Sequence, residues 1–147
     1  MNADHGFIGS WRLTLQSDSE TEANRAFASF MANGVLMTSP PPVERFPLAP
    51  EGVVFVSAGH GAWEATGNRS ASLTFCAQAM NGQGGLIGVG TVSANLELGA
   101  DGQKMHGRYA FEIAGPDGAV FATEEGTVQF QRIVVKATPA SAGRAAA

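Results

Sequence analysis

Three long alternating segments, Leu86 to Leu98, Met105 to Ile113 and Ala119 to Ile133, are parted only by Gly99-Ala100-Asp101-Gly102 and Gly115-Pro116-Asp117-Gly118. Asp-Gly between alternating segments is a hairpin signal, because Gly takes positive φ without a steric cost and Asp tolerates it better than most residues. Both connections carry it, so the C-terminal half reads as a meander of three antiparallel strands.

The rest of the chain extends that pattern. In the stretch from Phe7 to Gln16, Trp11, Leu13 and Leu15 share one face while Arg12, Thr14 and Gln16 share the other, as in a half-buried strand. Arg25 to Met31 and Val35 to Ser39 flank Asn33-Gly34 and form a second hairpin. Ala62 to Thr66 and Ala71 to Met80 supply two more strands, with Trp63 and Ala65 facing Leu73, Phe75 and Ala77. About eight strands joined to their sequence neighbours predict an all-β fold, an antiparallel up-and-down barrel. Closure removes exposed edges, and eight strands leave an interior that side chains fill or that holds one small ligand. A two-sheet sandwich is the competing arrangement. Glycines within the strands, among them Gly88, Gly90, Gly107 and Gly126, call for backbone bending or crowding.

At 147 residues the chain fits one domain, expected over residues 1–135, followed by a low-complexity and disordered tail over 136–147. Five of the prolines fall between Pro40 and Gly59, a stretch without period that reads as a long loop with room for one helical turn. A formal charge of -4 with nine Lys and Arg argues against nucleic acid as a partner. No segment has the apolar length of a membrane span, and the N-terminus carries no leader pattern, which points to a cytoplasmic protein with no membrane partner. The lone Cys76 reads as a small buried hydrophobe, and Cys76, His5, His60 and His106 show no metal-ligand spacing, so neither a metal nor a cofactor is expected.

Gly9-Ser10-Trp11 at the head of the first strand, with Arg132 on the last, resembles the pattern of the lipocalins and the wider calycin group. In those barrels the tryptophan closes one end and the arginine packs across it. Parity agrees, since Val128, Phe130 and Arg132 share a face of the last strand. The Gly59-His60-Gly61-Ala62-Trp63 stretch is also similar to small bacterial lipocalin-like proteins of uncharacterised function, a resemblance that implies a fold and no activity. The haem-binding calycin barrels are not matched, because His106 shares its face with Arg108 and Glu112.

Two functions follow from these expectations. In the first, the barrel binds a small apolar or aromatic molecule among Trp63, Phe75, Tyr109, Phe111 and Met37, an adaptable aromatic and thioether lining. In the second, the same cavity catalyses a cofactor-free cyclisation, isomerisation or hydration, with His60 or Tyr109 moving a proton. His60 lies between two glycines after the proline-rich loop, either near a barrel mouth or as an ordinary exposed loop histidine. Thr91, Ser93 and Asn95 line one face of their strand, and they face either a cavity or solvent while Val92, Ala94 and Leu96 pack. Glu64, Glu112, Glu124 and Glu125 are the available acids, with no pair set by spacing. The open end is expected at the loop Pro40 to Gly61, and a homodimer is compatible with the composition.

Overall fold

A computed structural model describes residues 6–46 and 52–139. Ten strands occur among them: β1 (Gly9–Ser17), β2 (Asn24–Phe30), β3 (Val35–Ser39), β4 (Val43–Arg45), β5 (Val53–Val56), β6 (Gly59–Ala65), β7 (Ser70–Met80), β8 (Leu86–Leu98), β9 (Lys104–Ala114) and β10 (Val120–Arg132). Eight of them, β1, β2, β3, β6, β7, β8, β9 and β10, pair antiparallel with their neighbours around a closed ring, and the β7–β8 and β1–β10 ladders complete it. The up-and-down barrel is thus present, and the sandwich is not.

The two Asp-Gly turns form as their residues dictate. Gly102 and Gly118 have φ of 71° and 84°. The Asp101 carboxylate accepts from the Gln103 amide at 2.9 Å, and Asp117 does the same for Ala119 at 3.0 Å. Each turn is held from inside by its own aspartate.

One end of the ring is packed solid. Trp11, fully buried, meets Phe30 and Phe130 edge-on at 6.4 and 6.3 Å, and Phe30 in turn meets Trp63 at 5.5 Å. Arg132 lies opposite Trp11 in the β1–β10 register, and its guanidinium donates to the backbone carbonyls of Gly102, Ile8 and Gly6 at 2.9, 2.9 and 2.5 Å. Gly9 makes room for it: a Cβ there would lie 2.8 Å from Arg132 Nη1, at a φ of 135° that L side chains rarely adopt. The Gly-x-Trp pattern at the head of β1 and the arginine at the end of β10 form one closure.

Two expectations are corrected. The proline-rich stretch is more than a loop, since its described residues hold the β4–β5 pair, which joins the ring through Phe55↔Met80 and Val56↔Ala79, while residues 47–51 lie outside the described residues. No helix occurs among the described residues. Cys76 is exposed, because Leu73 and Phe75 take the inward positions of β7 and leave residue 76 facing out. Of the expected tail, residues 140–147 lie outside the described residues, and 136–139 extend without regular structure.

Candidate functional site at the barrel mouth

The β4–β5 hairpin lies at the end of the ring opposite Trp11, as expected for the segment Pro40 to Gly61, since it pairs with the last residues of β7. It carries Phe46, which packs on Phe121 of β10 at 6.1 Å. A register shift between Val120 and Ala122 places Phe121 at an irregularity where β10 enters the ring, and a bulge of this kind re-aims the side chain it carries. Val54 of the hairpin is buried and clusters with Ala79 and Ile113, against Phe111 and Ala122. The hairpin therefore covers part of the mouth.

Below it the inner wall becomes polar. Glu124 is the inward position of β10 two residues before Gly126, and it shares a cross-strand row with Phe111, Val92 and Phe75. The Tyr109 hydroxyl donates to Glu124 Oε1 at 2.7 Å. Gly126 permits this, because a Cβ there would sit 2.7 Å from Tyr109 Cε1 and collide with the carbonyl of Gln16. Burial first, and then the Glu124 carboxylate, raise the Tyr109 hydroxyl well above the usual phenol range. Its proton is committed to Glu124.

A second carboxyl approaches from above. Glu44 pairs with the buried Val54 in the hairpin register and takes the same, inner side. Burial holds its proton above the ordinary value of 4.5, and the nearby charge of Glu124 adds to the shift. Two further polar side chains are nearly out of solvent on this wall. Ser17 Oγ is bonded to Ser19 Oγ at 3.0 Å, while Thr38 Oγ1, in a residue 3% exposed, has no hydrogen-bond partner among the described residues.

The filling of the barrel is uneven. Trp11, Phe30 and Phe130 are buried, Ile8 and Ala65 at the same end are partly buried, and nearer the mouth Leu15, Ala26, Val92 and Phe111 are partly buried beside the buried Phe75 and Tyr109. Phe75, Tyr109 and Phe111 thus line the mouth half with Glu124. Trp63 faces inward but packs on Phe7 at 5.9 Å and on Phe30, and its indole N–H donates to the Met31 carbonyl at 2.9 Å, so it belongs to the closed end.

Comparison with protein families, curated proteins and solved structures gives no match to this chain.

The structure does not bring His60 and Met37 to this lining. They face each other across the β3–β6 ladder on the outer wall, with His60 exposed and opposite Cys76 on its other side. The reason is parity: Leu36, Thr38, Gly59 and Trp63 hold the inward positions, which turns residues 37 and 60 outward. Thr91 pairs with Cys76 on the same outer side, and Ser93 and Asn95 are exposed while Ala94 and Leu96 pack inward. Sequence reasoning missed Glu44, whose position depends on a three-residue strand with no period of its own. It singled out Glu124 only as one acid among four. The signal available for Glu124 was its parity with Val128, Phe130 and Arg132. No group of three or more His, Cys, Asp or Glu suited to a metal occurs among the described residues, and no helix there is long and apolar enough to cross a membrane.

Proposed function

We propose that this is a calycin-like barrel, akin to small bacterial lipocalin-like proteins, that binds a small apolar or aromatic molecule in its mouth half beneath the β4–β5 hairpin. The observation that carries the reading is the Tyr109–Glu124 hydrogen bond on the inner wall, with Glu44 over it and Phe75 and Phe111 beside it. Carboxyls held partly out of water are costly, and a fold needing only a core would place apolar groups there. An apolar chamber with a few convergent polar groups is the usual form of a small-molecule site. The apolar body of the ligand rests on Phe75 and Phe111, and a hydrogen-bond donor on it meets Glu124 or Glu44.

A second reading, cofactor-free acid–base chemistry on the same ligand, is favoured by Glu44 alone. Its raised pKa lets it hold and donate a proton nearer neutral pH, whereas Tyr109 is made a poorer acid by the bond it already donates.

Binding of Nile red, an uncharged dye whose emission shifts in apolar surroundings, tests the site. The wild type is expected to bind it, and Val92→Trp, which fills the chamber from β8, to lose it. Equal binding by both proteins, or none by the wild type, would remove the chamber from consideration.

A further inference from the structure

We propose that the outer wall formed by β2, β1, β10 and β9 binds an extended acidic peptide segment of a partner protein. This surface is the reverse face of the barrel wall and is independent of the mouth. A groove of about 1120 Å³ runs over it, rimmed by Pro40, Pro41 and Pro42. The register places its basic side chains in two rows. Phe27, Arg12, Gln131 and Lys104 lie side by side across the four strands, and Arg25, Thr14, Gln129 and His106 form the row beside them.

The spacing selects the ligand. Neighbouring strands lie about 4.8 Å apart, which sets Arg12 and Lys104 about 10 Å apart and Arg25 and His106 about 14 Å apart at the backbone. No single phosphate or sulfate reaches all of them. The ligand has to be extended and to carry several negative groups. About five residues of extended peptide cross the four strands, and acidic residues at alternate positions then point to the same side about 7 Å apart.

Charge and shape agree with this occupant. The chain carries a formal charge of -4, yet among the described residues no carboxylate lines the groove, and Glu97, opposite His106, stands at its edge. The only ion pair among the described residues joins Arg108 to Asp18, so Arg12, Arg25 and Lys104 have no carboxylate partner there. Phe27 is 55% exposed in line with Arg12, which offers an apolar contact between the charges. A long phosphate chain fits less well, because the adjoining outer surface carries Glu112 and Glu125 beside the Asp18–Arg108 ion pair and would repel a strand that continued past the groove. A peptide can be acidic over a few residues only.

Fluorescence anisotropy on the full chain tests the assignment, with a labelled peptide of alternating Glu and Leu, the same peptide with Gln for Glu, and a short single-stranded oligonucleotide. The Glu peptide is expected to bind, to weaken steeply with added salt, and to lose at least about tenfold in affinity in the Arg12→Gln/Lys104→Gln double variant. Phe27→Ala is expected to weaken it further, and Glu64→Gln, on β6, to leave it unchanged. Unchanged circular dichroism in the double variant separates lost binding from lost fold. The proposal is overturned by equal binding of the Gln peptide, by a double variant that binds like the wild type, or by displacement of the peptide by the oligonucleotide. Sedimentation of the wild type as a dimer that the double variant abolishes would make a second copy the occupant and overturn it as well.

Discussion

The guanidinium carbon of Arg132 stands 4.2 Å from the centroid of the Trp11 ring, on residues paired directly across the ladder that closes the barrel. Besides contacting the ring it donates three hydrogen bonds to backbone carbonyls of two separate segments, Gly6 and Ile8 in the N-terminal entry and Gly102 in the β8–β9 turn, so one side chain on the last strand ties all three regions together.

Arg132→Met should therefore lower stability by about 2 kcal/mol, the loss expected for a cation–π contact and charged hydrogen bonds at a partly buried site. The urea midpoint measures it. A midpoint equal to that of the wild type would mean that Trp11 is closed off without its arginine.

Tyr109→Phe keeps the ring over Gly126 and removes the donor to Glu124. A loss of about 1–2 kcal/mol is expected, since a half-buried carboxylate is left with one partner fewer. If the substitution stabilises the protein instead, the bond does not repay the burial of Tyr109 and Glu124.

Glu44 sets a pH dependence. Its folded pKa is raised, so just above 4.5 the folded chain holds this proton more firmly than the unfolded chain does. The contribution is fully present below that pH and is lost as pH rises through the folded value. Glu44→Gln should flatten the acidic part of the stability–pH curve and raise the thermal midpoint at neutral pH. Curves that superimpose would show that the carboxyl titrates as it does in the unfolded chain.

Gly126→Val should destabilise by about 2–3 kcal/mol, because its side chain meets the Tyr109 ring and the Gln16 backbone at once. Gly102→Ala is the contrast: a Cβ there meets nothing within 4 Å, and only the positive φ opposes it. Since Gly126 has no positive φ, a loss at Gly126→Val no larger than at Gly102→Ala would mean that the wall gives way to the added side chain.

His60→Ala should leave dye binding at the mouth unchanged, since residue 60 faces outward between Met37 and Cys76. A loss of binding in this variant would mean that the ligand lies on the outer wall.

Much of the barrel is legible in the chain because two-residue alternation and Asp-Gly or Asn-Gly turns are local signals. Trp11, Leu13 and Leu15, or Val128, Phe130 and Arg132, announce their shared face without reference to the rest of the fold. The mouth is legible only in part. Tyr109, Phe75 and Phe111 follow from parity, but Glu44 reaches the site through pairing of two short strands separated by residues that carry no period. The glycines flanking His60 suggest a place at the mouth, but the structure uses them differently: Gly59 and Gly61 take inward positions where Thr38 and Phe75 crowd the wall, and this turns the histidine between them outward.

The pairing of β1 with β10 has a consequence for how the chain acquires its shape. Arg132 bonds carbonyls 124 and 126 positions earlier, so the ring stays open along β1 until the final strand has been synthesised. Until then β1 and β9 each present an unsatisfied sheet edge, the kind of surface on which chains pair with one another. Contacts so distant in sequence also slow the search for the native state. Truncation ahead of Val120 should yield aggregates rather than a smaller barrel, and a permuted chain that joins β10 to β1 by a short linker should fold faster than the parent.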